Sequence, residues 1–208
     1  MADRVPLDFD PPVRQLRALL LGVDDDELSA PTPCDEWTVA ALLDHLMGLA
    51  YGFAQAARKR TDLPGLGGPP PQPSAQHLSR HWRSRLPVLL EDLASAWKDP
   101  AAWTGTATVG GVTMPATAAG TVGMNELIVH SWDLARATGQ DYAADPRTLE
   151  VLIEFLSQGP FDGVSGQFGP AIPADPEEDL LDQALALAGR HPSWRPPRSP
   201  EVRVVPAA

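Results

Sequence analysis

The sequence contains little cysteine and little positive charge. Its single cysteine, Cys34, cannot form an intramolecular disulfide, which agrees with a reducing compartment. Lysine and arginine together number 16 against 27 acidic residues, giving a formal net charge of -11. A chain of this charge lacks the basic surface that binds a nucleic-acid backbone or an anionic membrane. We therefore expect neither nucleic acid nor membrane as a partner.

Long apolar runs are also missing. No stretch approaches the roughly 20 apolar residues that span a bilayer, and the first residues, MADRVPLDFD, lack the apolar core of a signal peptide. These absences predict a cytoplasmic protein. A length of 208 residues with a hydrophobic fraction of 43% is typical of one folded domain. We expect that domain to cover residues 1–195 and to be followed by a Pro-rich tail at 196–208.

The most informative stretch is MNELIVHSWDLARATG, residues 124–139. Its apolar spacing and the glycine at its end predict a helix that finishes at Thr138. Glu126 and His130 are four residues apart, so a helix places both on one face, along the apolar stripe. A buried carboxylate and imidazole are costly unless paired, and a divalent cation pairs with both. Two simpler interpretations stay open: a Glu–His hydrogen bond, or a rotated stripe that leaves both side chains in water.

A third candidate ligand lies on another predicted helix. Residues 38–60 have the strongest helical pattern in the chain, begin at the expected N-cap Thr38, and carry His45 among apolar neighbours. A core histidine with one hydrogen bond is the simpler interpretation, but two helices that each bury polar groups favour a shared partner. A rival pair, His77 and His81, has the same four-residue spacing beside arginines, a setting typical of a surface.

The remaining segments predict a mainly helical protein. Cys34 precedes a helix start, where a thiolate is favoured, although a small buried hydrophobe is the commoner role of such a cysteine. Asp133 and Arg136 are candidates for orienting ligands, with a surface ion pair as the simpler interpretation. Further helices are expected at 13–23, 75–97, 145–157 and 177–188, loops at 63–74 and 159–175, and a short hairpin around Gly110 and Gly111.

Three sequence blocks carry a resemblance to a known family: PTPCDEWTVAALLDHL, NELIVHSWDLARATGQD and the ending LLDQALALAGRHPSW. They resemble the DinB-like metalloprotein superfamily, in the branch that contains the metal-binding domain of mycothiol-dependent maleylpyruvate isomerase, as a stand-alone member. The resemblance implies an all-α fold, a DinB-like four-helix bundle with extra C-terminal helices, to which the residue pattern adds the short β-hairpin. It also implies a mononuclear metal site formed by His45, Glu126 and His130.

The resemblance further implies a function. Two histidines and one carboxylate leave a fourth zinc position open, as in catalytic sites; Zn²⁺ is the first expectation, with Ni²⁺, Co²⁺ or Fe²⁺ as alternatives. The implied enzyme is a transferase or isomerase that uses a low-molecular-weight thiol such as mycothiol on an electrophilic substrate. Maleylpyruvate itself is not the expected substrate, because that isomerase has an additional C-terminal domain, for which no room remains after Gly189.

The sequence leaves two other functions open and also bears on oligomeric state. The first alternative is a non-catalytic metal-binding or stress-response module, and a weaker one is a helical interaction protein without metal. The single Glu-x-x-x-His does not match carboxylate-bridged di-iron sites, which need two Glu-x-x-His pairs and further Glu ligands. A homodimer is expected if the bundle leaves an apolar side exposed.

Overall fold

Helices dominate the fold. The computed structural model describes residues 6–34, 37–60, 68–159, 170–173 and 175–197. Its helices and strands, in chain order, are α1 (Asp10–Leu21), α2 (Val39–Ala57), α3 (Trp82–Trp97), β1 (Thr106–Val109), β2 (Val112–Pro115), α4 (Ala116–Ala137), α5 (Pro146–Leu156) and α6 (Leu180–Leu187). Two short 3-10 helices lie at Asp25–Ser29 and Pro100–Trp103. The prediction of an all-α fold with a short hairpin is confirmed.

Helices α1 to α4 form the bundle. Helix α2 packs against both α3 and α4, and α1 packs against the same two helices, so the four apolar faces close around one core. Leucines supply most of the fully buried side chains in this core: Leu16, Leu42, Leu43, Leu46, Leu86, Leu90, Leu93, Leu127 and Leu134. This packing sets α2 and α4 side by side, with His45 of α2 and Glu126 of α4 in contact between them.

None of the helices in the described part of the chain combines the length and apolar character needed to cross a membrane.

The expected extra C-terminal helices are present and pack on α4. Helices α5 and α6 contact each other, and a second apolar cluster joins them to the bundle: Val129 and Trp132 of α4 with Leu156, Leu185 and Ala188. Helix α6 begins at Leu180 rather than at the predicted residue 177, because the Asp179 side chain caps it. The tail from 198 to 208 and most of the predicted loop at 159–175 lie outside the described residues, as do residues 63–67 of the other predicted loop.

Several predicted element ends are confirmed. The Thr38 hydroxyl accepts a hydrogen bond from the backbone N–H of Ala41 (3.3 Å), as expected of an N-cap. Gly139 has φ 65°, which terminates α4 in the left-handed region. In the hairpin, Gly110 and Gly111 have φ 57° and 82°, so both central residues of the two-residue turn are left-handed and match the twist of the strands.

The start of α3 differs from the prediction. The spacing predicts a helix from residue 75, but α3 begins at Trp82. The Ser74 and Ser79 hydroxyls accept hydrogen bonds from the backbone N–H groups of Gln76 and His81, at 3.2 Å each. Such local bonds offer the backbone an alternative to helical pairing. The turn they form leaves the first seven predicted helical residues outside the helix.

Gly123 of α4 lets the ring of Phe53 on α2 come close. A Cβ at position 123 would lie 2.6 Å from the Phe53 Cδ1 atom, whereas a Cβ at Gly48 would have none of the described residues within 4 Å. Overpacking costs about 1–3 kcal/mol, and replacing a helical glycine by alanine gains about 1 kcal/mol. We expect Gly123→Ala to lower the free energy of unfolding by up to about 2 kcal/mol and the control Gly48→Ala to raise it by about 1 kcal/mol. Urea unfolding measures both; a stabilised Gly123→Ala would contradict the close contact.

Candidate metal centre

The three predicted ligands meet where α2 lies against α4. The Nε2 atom of His45 is 3.3 Å from Oε2 of Glu126, and Nε2 of His130 is 3.2 Å from the same oxygen. Ligand atoms about 2.0–2.2 Å from a tetrahedral ion are about 3.3–3.6 Å apart. A hydrogen bond of the same type is usually about 2.9 Å long. The two distances therefore fit the edges of a coordination tetrahedron, and they also fit long hydrogen bonds between the same atoms.

The burial of Glu126 and His130 distinguishes between the three interpretations of this pair: a metal site, a Glu–His hydrogen bond, or two side chains in water. Glu126 is 3% exposed and His130 is 2% exposed, so the interpretation that leaves both in water is wrong. A Glu–His hydrogen bond accounts for Oε2 of Glu126 but not for Oε1, which is buried and has no hydrogen-bond partner among the described residues. A buried, unpaired carboxylate oxygen is costly. A cation bound between the three side chains would remove that cost.

Asp133 determines which His130 nitrogen faces Glu126. Its Oδ2 atom is 2.9 Å from Nδ1 of His130, and because an ionised carboxylate only accepts, Nδ1 carries the proton and donates it. In neutral His130 the Nε2 atom is then a lone-pair acceptor that faces another acceptor, the Glu126 oxygen. Only a proton or a metal ion between the two atoms removes this repulsion. The centre is thus arranged to hold a positive charge at this point.

The Asp133–Arg136 surface ion pair predicted as the simpler interpretation is wrong. Asp133 is fully buried and pairs with His130 and with Arg190, which follows α6. Arg136 instead donates from Nη2 to the backbone oxygen of Pro192, at 2.9 Å. The candidate orienting role of Asp133 agrees with these contacts. Arg190 has no local sequence signal, since it lies 57 residues from Asp133 along the chain.

Opposing effects set the pKa values in the centre. Burial acts to raise the pKa of Glu126, but hydrogen bonds from His130 and His45 outweigh it and lower the pKa to about 2. Burial acts to lower the pKa of His130, but its hydrogen bonds to Asp133 and Glu126 outweigh it and the pKa is raised. For His45, burial prevails and the pKa is lowered. Glu126 is therefore anionic at neutral pH, and His45 favours the neutral form that binds metals.

These directions predict how acid affects the metal-free protein. The pKa of Glu126 is lowered from 4.5 to about 2, so its stabilising contribution is present above pH 4.5 and is lost as pH falls toward 2. We expect the free energy of unfolding to fall over this range by about 2–3 kcal/mol more in the wild type than in Glu126→Gln. Urea unfolding at several pH values, with chelator present, measures the difference. An equal acid loss in both proteins would contradict the assigned pKa.

Trp37 forms a wall of the centre that sequence reasoning did not single out. Its ring centroid is 4.8 Å from that of His45 and 5.7 Å from that of His130. The hydroxyl of Thr32 donates to the Trp37 backbone oxygen and holds the segment before α2 in place. The only sequence signal was the position of Trp37 directly before the N-cap, inside a block that carries the family resemblance. The side chain shields one side of both imidazoles from water.

A second group of candidate ligands shares His130. Ligand atoms of Cys34, His130 and Asp133 lie within 4.8 Å of one another. The Asp133 carboxylate already accepts hydrogen bonds from His130 and Arg190, so a cation there would have to displace existing partners. This group is therefore the poorer candidate. Cys34 itself is half-buried beside the centre, rather than in the leucine core.

The rival histidines are not brought together as ligands. His77 lies in the turn before α3, its side chain is 58% exposed, and its Nδ1 atom is 3.9 Å from an Asp44 oxygen. His81 is exposed at the start of α3, so the two no longer share a helix face. Within the described ranges, neither histidine belongs to a group of three candidate ligands.

Residues 9–135 match the family model described as the mycothiol maleylpyruvate isomerase N-terminal domain. All three candidate ligands and Asp133 lie within the matched residues. Among curated proteins, the chain is similar to two uncharacterized proteins of Mycobacterium tuberculosis, from strains CDC 1551 / Oshkosh and ATCC 25618 / H37Rv. Each is 31% identical over 179 residues, which cover 83% of this chain and 90% of the relative.

Two solved structures also align with the chain, both of the mycothiol-dependent maleylpyruvate isomerase. The crystal structure of a mutant of that protein has a TM-score of 0.48 and 19% identity, covering 73% of this chain and 69% of the other. The second crystal structure has a TM-score of 0.48 and 18% identity, covering 71% and 66%.

Proposed function

This chain belongs to the family of the mycothiol maleylpyruvate isomerase N-terminal domain, and on that basis we propose that His45, Glu126 and His130 bind one divalent metal ion. Zinc is the first choice, because two imidazoles and one carboxylate are a common ligand set for catalytic zinc and leave a fourth position open. We propose further that the centre binds a low-molecular-weight thiol such as mycothiol and uses its sulfur on an electrophilic small molecule. The activity is therefore a thiol-dependent transferase or isomerase reaction.

One observation carries the metal proposal. In neutral His130 the Nε2 acceptor lies 3.2 Å from an oxygen of the Glu126 carboxylate, and the second oxygen of that carboxylate is buried with no hydrogen-bond partner among the described residues. Folding a protein around two acceptors in contact is unfavourable unless a positive charge lies between them. A proton can neutralise one contact, but an ion also satisfies His45 and the unpaired oxygen. Residues on two different helices contribute, so a purely local cause does not explain the arrangement.

The side chains around the centre favour access for a small ligand on one side. Glu126 and His130 are almost fully buried, but the His45 side chain is 16% exposed. Gly48 lies one turn further along α2 and is exposed, and a Cβ at this position would have no atom of the described residues within 4 Å. Helix geometry places Gly48 on the same side of α2 as His45. A ligand that approaches from this side reaches the centre without displacing core residues.

The thiol step needs little from the protein beyond positioning. A bound divalent cation stabilises the thiolate form of a small thiol and thereby makes its sulfur nucleophilic at neutral pH. His45 and His130 hold their Nε2 atoms toward the same point, Asp133 keeps the His130 proton on Nδ1, and Trp37 excludes water from one side. The electrophile approaches over the exposed side of His45.

Metal content and thiol binding test the proposal in sequence. Untagged wild type, purified with zinc supplied, is expected to hold about one equivalent of metal, whereas Glu126→Ala and His45→Ala hold little. His77→Ala is the matched control and should retain the ion. Co²⁺-substituted wild type is then titrated with mycothiol or N-acetylcysteine, and a sulfur-to-cobalt absorption band is expected. Metal without any thiol band would favour a non-catalytic metal-binding or stress-response module; no metal in wild type would refute the proposal.

A further inference from the structure

The segment that follows α6 contributes one buried, positively charged side chain, that of Arg190, to the surroundings of the centre. Gly189, with φ 77°, ends α6 and turns the chain so that Arg190 points back to α4. Arg190 is 6% exposed, and its Nε donates to Oδ1 and Oδ2 of Asp133 at 3.1 and 3.2 Å. Its Nη2 also donates to Oδ2, at 3.2 Å. The same Oδ2 accepts the His130 proton at 2.9 Å.

We propose that Arg190 is a positioning residue of the metal centre: through Asp133 it fixes the orientation of His130 and raises the affinity for the ion. This inference rests on the proposed function, since it concerns the same three ligands. The two-point contact of the guanidinium with the carboxylate prevents Asp133 from rotating about its side-chain bonds. With Asp133 held, the His130 ring keeps Nδ1 on Asp133 and Nε2 on the ion.

Arg190 is not supplied by the part of the chain that matches the family model, which ends at residue 135. The C-terminal segment therefore completes the surroundings of a ligand set that lies wholly within the family domain. Among the described residues, His130 is the one side chain that would still hydrogen-bond to Asp133 without Arg190, and a buried carboxylate with so few partners is costly. The carboxylate would then be free to rotate away from His130, and its rotation would release the imidazole.

The effect of Arg190 on the orientation of His130 can be distinguished from its contribution to packing of the C-terminal segment on α4. A second arginine, Arg136, also ties α4 to this segment, through Nη2 and the Pro192 backbone oxygen at 2.9 Å. In the described part of the chain, Arg136 makes no hydrogen bond to Asp133 or His130, and its guanidinium lies over the Trp132 ring, 5.4 Å from the ring centroid. Arg136→Met is therefore a matched control: it weakens docking but leaves the Asp133–His130 contact in place.

The experiment measures Zn²⁺ affinity by competition with a chromogenic chelator, and the visible spectrum of the Co²⁺-substituted protein. Removing partners that orient a metal ligand typically costs about 10–100-fold in affinity. We expect Arg190→Met to weaken Zn²⁺ binding about tenfold or more and to shift the cobalt bands. Arg136→Met should stay within about twofold of wild type and keep its spectrum. Folded Arg190→Met with wild-type affinity and spectrum would overturn the inference.

A milder variant keeps the test decisive if Arg190→Met does not fold. Arg190→Lys retains the charge but loses the two-point contact, so we expect a smaller loss of affinity and a shifted cobalt spectrum. In an Asp133→Asn background the same change should add less than about twofold, because its effect passes through Asp133. Equal losses with and without Asp133 would overturn the inference. If wild type binds Zn²⁺ and the Arg190 variants bind it with the same affinity and spectrum, the positioning role of Arg190 is refuted but the proposed metal centre is not. If wild type binds no Zn²⁺, both are refuted.

Discussion

Glu126→Gln is expected to weaken Zn²⁺ binding by roughly 10²- to 10³-fold. Apparent zinc-binding free energies of about 10–16 kcal/mol are shared among some four ligands, so losing one costs roughly 3–4 kcal/mol. Glutamine keeps the volume and one neutral oxygen, which limits other effects on the bundle. The replaced carboxylate is also the group that faces both histidines, at 3.3 and 3.2 Å. Competition with a chelator of known affinity measures the loss.

Two controls make the Glu126 result specific. His77→Ala removes an exposed histidine of the rival pair and should leave the affinity unchanged. Far-ultraviolet circular dichroism of Glu126→Gln should match that of wild type, because the helices do not depend on the ion for their backbone bonds. An unchanged affinity in Glu126→Gln would show that the ion binds elsewhere. A loss in His77→Ala of the same size would point to the rival pair instead.

Removing the metal is expected to slow thiol coupling by about 300-fold at pH 6. A free thiol with a pKa of about 8.5 is only about 0.3% thiolate at pH 6, whereas a thiol coordinated to a cation is deprotonated outright. Positioning of the electrophile adds to this factor but is harder to predict. The measurement is the rate of mycothiol consumption with a fixed electrophile, in zinc-loaded and chelator-treated protein.

The pH profile distinguishes thiol activation from mere binding of the electrophile. Zinc-loaded protein should keep its rate as pH falls from 8 toward 6.5, while the uncatalysed reaction slows about tenfold per pH unit. His130→Ala, supplied with zinc, should follow the uncatalysed profile. A catalysed rate that falls in parallel with the free thiolate would contradict activation of the thiol at the centre. Readdition of zinc to chelator-treated wild type should restore the rate.

Local geometry explains which parts of the centre the sequence could predict. The four-residue spacing of Glu126 and His130 is a property of one helix, so their shared face followed from the pattern alone. His45 was a candidate because a second predicted helix also buried a polar residue, and the family resemblance implied that it joins the same site, since spacing on one helix says nothing about where a second helix lies. The structure shows the three side chains together, while binding of the metal itself stays a prediction.

Tertiary packing explains what the sequence could not predict. Arg190 reaches Asp133 only because Leu185 and its neighbours dock α6 on α4, and no periodicity encodes that contact. The start of α3 was misplaced for a local reason, since the apolar spacing continues through residues where Ser74 and Ser79 bond to the backbone instead. Competing side-chain hydrogen bonds of this type leave no trace in a hydrophobic pattern.

The distance along the chain between His45 and Glu126 has a consequence for folding. An ion held by both would cross-link α2 to α4 and close a loop of 81 residues. By the chain-entropy account used for disulfides, closing a loop of that length lowers the conformational entropy of the unfolded chain by an amount worth about 4.5 kcal/mol. This protein has one cysteine and cannot form an internal disulfide, but a bound ion would supply an equivalent long-range cross-link. A chelator could remove that cross-link reversibly.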